Sequence, residues 1–355
     1  QKRGPGQIAS EIEALGGNVN AYTSWDRTVF HATVPSDKVF QGLEILSDAV
    51  LNPVIDQEEL EKEKGVVLEE ILEGEERPLR KSSKLLFATA YAKSPYRHPV
   101  IGYRETVSSL SREDLAAFRA KWYVPQNMFL LIVGDVDPDR LRPEIERLTS
   151  RLRASVFVPS MREAEPRQEA VRSALMRDPN ARETFLKMAF HIPSARGADA
   201  NTLELAADIL AARESSRLVT TLKKEKALVH SISAHAVTPR DSGIFVVSAT
   251  LDAKNAQAAT EAVMQELQKL GKEPPSAEEL QRAKISLESA RLYERQTVAG
   301  IARSLGRFEA DMGDAAYERL DERLNAAITA DQVSHAVAAY LKPPNVSVTL
   351  LVPEK

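Results

Sequence analysis

The sequence runs to 355 residues, 43% hydrophobic and 28% charged, a length and balance that suit two globular domains with real cores better than one. A formal net charge of -4 with both signs interspersed leaves no basic stripe for nucleic acid, and no apolar run approaches the roughly 20 residues of a membrane span. The absence of cysteine excludes disulfides and thiolate metal sites and does not locate the protein.

The chain opens on Gln1, and Gln1 to Gly6 resembles no signal peptide, so the start reads as an internal cut with any targeting segment upstream. Ile8 to Leu15 has a short helical pattern closed by Gly16 and Gly17. Asn18 to Val34 is rich in strand formers, and Ser36 opens an amphipathic helix through Val50. Asp56 to Glu73 predicts a long, highly charged helix. Ser111 with Glu113 and Asp114 predicts an N-cap and an acidic first turn, for a helix to about Tyr123. Phe129 to Val133 predicts a strand, ended by Gly134.

The second half repeats this plan. When Ser111 is laid on Thr329, Leu115 meets Val333, Trp122 meets Tyr340, Pro125 meets Pro343 and Asn127 meets Asn345. The run Phe129 to Val133 then falls on Ser347 to Leu351 without a gap. Residues 1–155 form one half, 156–170 a charged, proline-containing linker, and 171–355 a homologous second half. Strands mixed with long helices in this order predict an α+β fold, with two sandwich halves that each pack an antiparallel-rich sheet against helices.

Chemistry concentrates on the helix after Asp56. Glu63 and Glu70 are seven residues apart, which at about 100° per residue places them on one face. Carboxylates on a rigid helix can ligate zinc or orient a ligand. The same residues equally describe a solvated Glu/Lys face with i,i+4 pairs. The six histidines are scattered with no two at i,i+4, and each reads as a surface or structural residue. No complete metal site, Ser/His/Asp signature or phosphate loop can be assembled from these residues.

The run Glu13 to Thr28, with Leu15-Gly16-Gly17-Asn18-Val19-Asn20-Ala21-Tyr22-Thr23 at its centre, resembles the pitrilysin/insulinase family of zinc metallopeptidases. So do Glu61 to Glu70, Tyr96 to Gly102, Tyr123 to Asn127, Val133 to Asp135 and Ser215 to Leu218, spread over nearly the whole chain. The resemblance implies the duplicated sandwich halves of the LuxS/MPP-like metallopeptidase type. It also implies an H-x-x-E-H helix, two zinc histidines and a base glutamate, ahead of Gln1. On the family pattern Glu70 is the third zinc ligand and Glu63 its supporting acid, with Glu69 the adjacent competitor. An extended peptide would add along Asn20, Ala21, Tyr22 and Thr23, a stretch that also reads as an ordinary edge strand.

The family's Arg/Tyr pair from the second half is matched here by Lys223 and His230, which lack arginine's fork and the phenol. The implied protein is a zinc-dependent endopeptidase subunit acting on extended or unfolded peptides. Its partner would be a second bilobal unit or a second copy, and its compartment the periplasm, by likeness to bacterial relatives. This particular chain, without the histidines, is expected to hold no zinc and to be inactive. The other reading is a non-catalytic family member serving as scaffold or partner subunit.

Overall fold

The computed structural model describes residues 3–4, 6–152 and 163–354; positions 156–162 of the expected linker lie outside the described residues. In chain order the elements are α1 (Gln7–Ala14), β1 (Asn18–Thr23), β2 (Thr28–Thr33), α2 (Val39–Leu51), α3 (Gln57–Glu76), α4 (Pro78–Ala90), α5 (Arg104–Ser109), α6 (Arg112–Trp122) and α7 (Pro138–Thr149). The second half continues with β3 (Arg172–Asp178), β4 (Thr184–Ile192), α8 (Ala200–Ala211), β5 (Ser231–Val237), β6 (Gly243–Leu251), α9 (Ala256–Lys272), α10 (Ala277–Glu294), α11 (Val298–Met312), α12 (Tyr317–Ala327), α13 (Ala330–Tyr340) and β7 (Ser347–Pro353). This is the mixed α and β architecture expected, with two sheets clothed by helices.

Compact packing divides the chain into two units. One comprises 1–71, 100–161 and 295–306, and the other 72–99, 162–294 and 307–355. In the first, β1 and β2 form an antiparallel hairpin pairing Asn18 with Thr33 through Thr23 with Thr28, and α1 and α2 pack beside it. Gly16 ends α1 in the left-handed region at φ 78°, and a Cβ on Gly17 would stand 2.4 Å from the Thr33 carbonyl oxygen. Glycine is therefore required where the chain leaves the helix and passes β2.

The second unit holds a five-stranded sheet in the order β3-β7-β4-β6-β5, parallel only between β3 and β7. Side chains alternate across it. Leu186, Met188 and Phe190 of β4 share a face with Ala249, Val247 and Phe245 of β6 and belong to one core with α8, α9 and α13. The opposite face, which carries Lys187 and His191, receives α4, and the His191 ring nitrogen Nε2 lies 2.8 Å from the Ala90 carbonyl oxygen. Full burial of side chains such as Phe190 and Met188 contributes roughly 1.5–3 kcal/mol each.

Matched positions of the repeat make matched bonds. Ser111 and Asp114 form a capping box on α6, and Thr329 and Gln332 form one on α13. Asn127 donates Nδ2 to the Trp122 carbonyl at 3.0 Å, and Asn345 donates Nδ2 to the Tyr340 carbonyl at 2.8 Å.

One predicted strand is corrected. Phe129 to Val133 carries no ladder among the described residues, whereas its counterpart β7 pairs with both β3 and β4. A strand exists only where a neighbour takes its backbone bonds. The apolar side chains Phe129 and Leu130 remain 53% and 48% exposed.

Candidate functional site

The acidic helix α3 starts where sequence patterning places it, because the Asp56 carboxylate accepts the backbone N–H groups of Glu58 and Glu59 at 2.9 and 3.1 Å. Helix α6 holds the corner before it. Arg112 Nε donates to the Ile55 carbonyl at 2.7 Å, Arg119 donates to the Leu51 carbonyl, and Lys64 Nζ of α3 reaches the Leu110 carbonyl at 3.1 Å. Only Leu60 and Ile71 of this helix are buried, so most of its surface is uncovered.

Glu63 and Glu70 lie on one face of α3, two turns or about 10.5 Å apart along the axis. Both are exposed. The ion pairs of a solvated Glu/Lys face do form, but other residues make them: Lys62 with Glu58 at 3.1 Å and Glu59 at 2.9 Å, and Lys64 with Glu61 at 3.2 Å. Glu63 and Glu70 take no part in them and make no hydrogen bond or ion pair among the described residues, which leaves both carboxylates as unoccupied acceptors.

A catalytic zinc takes three protein ligands with one open position. Among the described residues no three or more His, Asp or Glu side chains converge to hold a metal ion. His31, the histidine on β2, has its ring centroid 6.2 Å from that of Tyr22. The residues present therefore do not fit zinc by themselves; α3 offers carboxylate oxygens and no imidazole joins them.

The hairpin is the second component. Asn20, Ala21, Tyr22 and Thr23 are all exposed, and among the described residues β1 pairs with β2 alone. The Ala21 N–H is taken by the Asn20 side-chain oxygen at 2.7 Å, so an outward-facing donor of the edge is closed by a local side chain. The loop of the hairpin is held by Ser24 N–H donating to the Arg27 carbonyl at 2.8 Å.

The two second-half positions are engaged separately. Lys223 Nζ is 3.3 Å from Glu214, while His230, one residue before β5, has Nε2 at 3.4 Å from Asp252. Neither contact joins one to the other. A feature not read from the sequence is the helix that repeats α3. Laying Asp56 on the Ser276 cap of α10 matches Leu60 with Leu280, Lys64 with Lys284 and Val67 with Leu287, and puts Ala283 and Ala290 where Glu63 and Glu70 stand. Those shared apolar and lysine positions were the available signal. The second half keeps the helix and lacks the acidic pair.

Comparison with known proteins agrees with this asymmetry. Residues 1–104 match the family model described as insulinase (peptidase family M16), and residues 109–287 match the model described as peptidase M16 inactive domain. A Rickettsia felis protein named "uncharacterized zinc protease" is 29% identical over 311 residues, covering 86% of this chain and 73% of its own length. An Arabidopsis thaliana protein named "probable mitochondrial-processing peptidase subunit beta" is 25% identical over 360 residues, covering 98% of this chain and 67% of its own. The crystal structure of a protease from Helicobacter pylori superposes with a TM-score of 0.94 at 20% identity, over 99% of this chain and 86% of that one.

Proposed function

This chain belongs to the insulinase (M16) peptidase family, and on that premise we propose that it is the zinc-side part of a metalloendopeptidase acting on extended or unfolded peptides. The observation that carries the reading is the pair Glu63 and Glu70, aligned on α3 and left out of the ion pairs around them. In a zinc peptidase the metal supplies an activated water and a Lewis acid at the scissile carbonyl. Glu70 is the proposed oxygen ligand and Glu63 the residue that orients it, with imidazole ligands from residues other than those of this chain. The chain's own part in substrate binding is the β1 edge, where Asn20 to Thr23 offer backbone groups to an added strand. Main-chain pairing of that kind selects for extended conformation more than for sequence.

Lys223 and His230, held by Glu214 and Asp252, are not assigned to the substrate. A second bilobal unit or a second copy is the proposed partner, a reading supported by the relative named as a peptidase subunit beta. The periplasm is the proposed compartment, on likeness to bacterial relatives. No helix among the described residues is long and apolar enough to cross a membrane.

The test is metal analysis and hydrolysis of an unfolded protein, run on this chain and on a polypeptide extended upstream through an H-x-x-E-H helix. The chain alone is expected to retain no stoichiometric zinc and no activity. The extended polypeptide should bind one zinc and cleave, and Glu70→Gln should lower zinc retention by more than the roughly 10–100-fold typical of losing an outer-shell partner, while Glu69→Gln leaves it unchanged. Unchanged zinc and activity in Glu70→Gln would remove the assignment, and an extended polypeptide that binds no zinc would leave a scaffold subunit in its place.

A further inference from the structure

Lys187 sits in the middle of β4 and is only 7% exposed, and its Nζ reaches a single group, the Ser248 hydroxyl of β6 at 3.4 Å. That separation is longer than the roughly 2.7–3.2 Å of an ordinary hydrogen bond. Burial pushes the Lys187 ammonium below its ordinary value, and no carboxylate among the described residues offsets that push. Other buried charges of the same unit are answered: Asp178 pairs with Lys81 and Asp321 with Arg291. A buried ammonium without an anion costs stability, and evolved interiors seldom keep one idle.

The sheet aims this charge at an open surface. Its register puts Thr349 of β7, Lys187 of β4, Ser248 of β6 and Ser233 of β5 on one rung and one face. Exposure rises along that rung, from buried Thr349 and Lys187 through half-buried Ser248 to exposed Ser233. Helix α4 covers the face over β3, β7 and β4, whereas on β5 Ser231, Ser233 and His235 are exposed. The contact with Ser248, its β6 neighbour, shows that the Lys187 side chain turns toward the open end. There the Ser231 and Thr250 hydroxyls satisfy each other at 2.9 Å, while Ser233 and His235 make no hydrogen bond or ion pair among the described residues. The protein atoms crowded around the His235 ring and the charge of Lys187 both hold its pKa below the ordinary 6.5, so the ring is neutral at neutral pH.

One full positive charge beside neutral donors calls for one negative charge, which favours a carboxylate over a dianionic phosphate. We propose that this corner of the sheet binds the carboxylate of a peptide, with the anion on Lys187 Nζ and the Ser248 and Ser233 hydroxyls donating to it. A carboxylate there gives the ammonium the charge-assisted partner it lacks within the chain. The carboxylate follows from the site itself; the peptide that carries it rests on the peptidase reading above. A chain terminus and an acidic side chain offer the same group.

The experiment is titration of the full chain, by calorimetry and saturation-transfer NMR, with three peptides and inorganic phosphate. The peptides are acetyl-tetraalanine with a free carboxyl terminus, the same peptide amidated, and an amidated peptide carrying one aspartate. At least one carboxylate peptide should saturate a single site and bind about tenfold or more tightly than the amidated tetraalanine, and the tighter of the two identifies the source. Lys187→Met should weaken that peptide about tenfold or more, and Ser233→Ala by a few fold. Lys187→Met keeps the length of the side chain and removes an unpaired buried charge, so its melting temperature should not fall, which separates lost binding from lost folding. No saturable binding of either carboxylate peptide would overturn the proposal. So would equal affinity for the amidated tetraalanine, tighter binding of phosphate, or an affinity unchanged in Lys187→Met. Zinc and peptidase activity play no part in the readout, so failure here leaves the metallopeptidase reading untouched.

Discussion

At the scale of single residues, the clearest electrostatic anchor joins Arg217 to Glu279 of α10. The guanidinium donates twice, at 2.7 and 2.9 Å, and Glu279 also accepts the Ser276 N–H at 2.8 Å. The Arg217 hydrogen bonds, against an opposing push from burial and with help from Ser276, hold the Glu279 carboxyl at about 2, below its ordinary 4.5. A depressed folded-state value means that the carboxylate's stabilisation is fully present above about 4.5 and is lost as pH falls toward about 2. Glu279→Gln should therefore cost about 1.5–3 kcal/mol in urea unfolding at neutral pH. That difference should shrink when the titration is repeated on descending from pH 4.5 toward 2. A penalty independent of pH would show that the ion pair carries no net stability. Glu63 and Glu70 behave oppositely: among the described residues neither makes a hydrogen bond or ion pair, and the lysines beside them are taken by Glu58, Glu59 and Glu61.

Among the elements, the hairpin edge is the most informative. Asn20 occupies the Ala21 N–H with its own side chain, an arrangement that blunts an edge against casual pairing. An incoming peptide strand must displace that oxygen. Asn20→Ala should accordingly strengthen binding of an extended, proline-free peptide to the chain by a few fold, since a local hydrogen bond of about 0.5–1.5 kcal/mol no longer competes. Fluorescence anisotropy with a labelled peptide measures it, and equal affinity for wild type and Asn20→Ala would mean that peptide does not pair with β1. Helix α3 offers the complementary lesson. Its start was legible from Asp56 and its face from the spacing of Glu63 and Glu70. The clamps from Arg112, Arg119 and Lys64 to backbone carbonyls were not, because they join residues 46 to 68 positions apart.

For the whole molecule, the described end of the linker region is part of the second unit's structure. Glu165 accepts three consecutive backbone N–H groups, from Ala92 at 2.8 Å and from Lys93 and Ser94 at 2.9 Å, and Gln168 donates to the carbonyls of Pro344 and Val346 at 3.0 and 2.8 Å. Burial pushes the Glu165 carboxyl up, but those backbone bonds outweigh it and leave it below the ordinary value. Glu165→Gln retains one acceptor oxygen and loses the charge, so limited proteolysis should cut near residues 163–170 faster in that variant. An identical cleavage pattern would show that Gln168 holds the segment alone. Together with α4, which packs on β3, β4 and β7, this clip joins 72–99, an early segment of the chain, to the second unit.

Signals confined to a few neighbouring residues were readable without coordinates. The N-cap at Ser111 with its match at Thr329, the Gly16-Gly17 helix stop, the strand composition between Asn18 and Val34 and the repeated Pro and Asn positions rest on the conformational preferences of neighbouring residues, so local order suffices to specify them. Phe129 to Val133 has strand composition but lacks a ladder, because a ladder is a property of two segments. The clamps of Arg112 and Arg119 onto the carbonyls of Ile55 and Leu51 likewise depend on which distant residues arrive beside them. Pairing across long stretches of chain is decided by packing, and only the folded molecule carries that information.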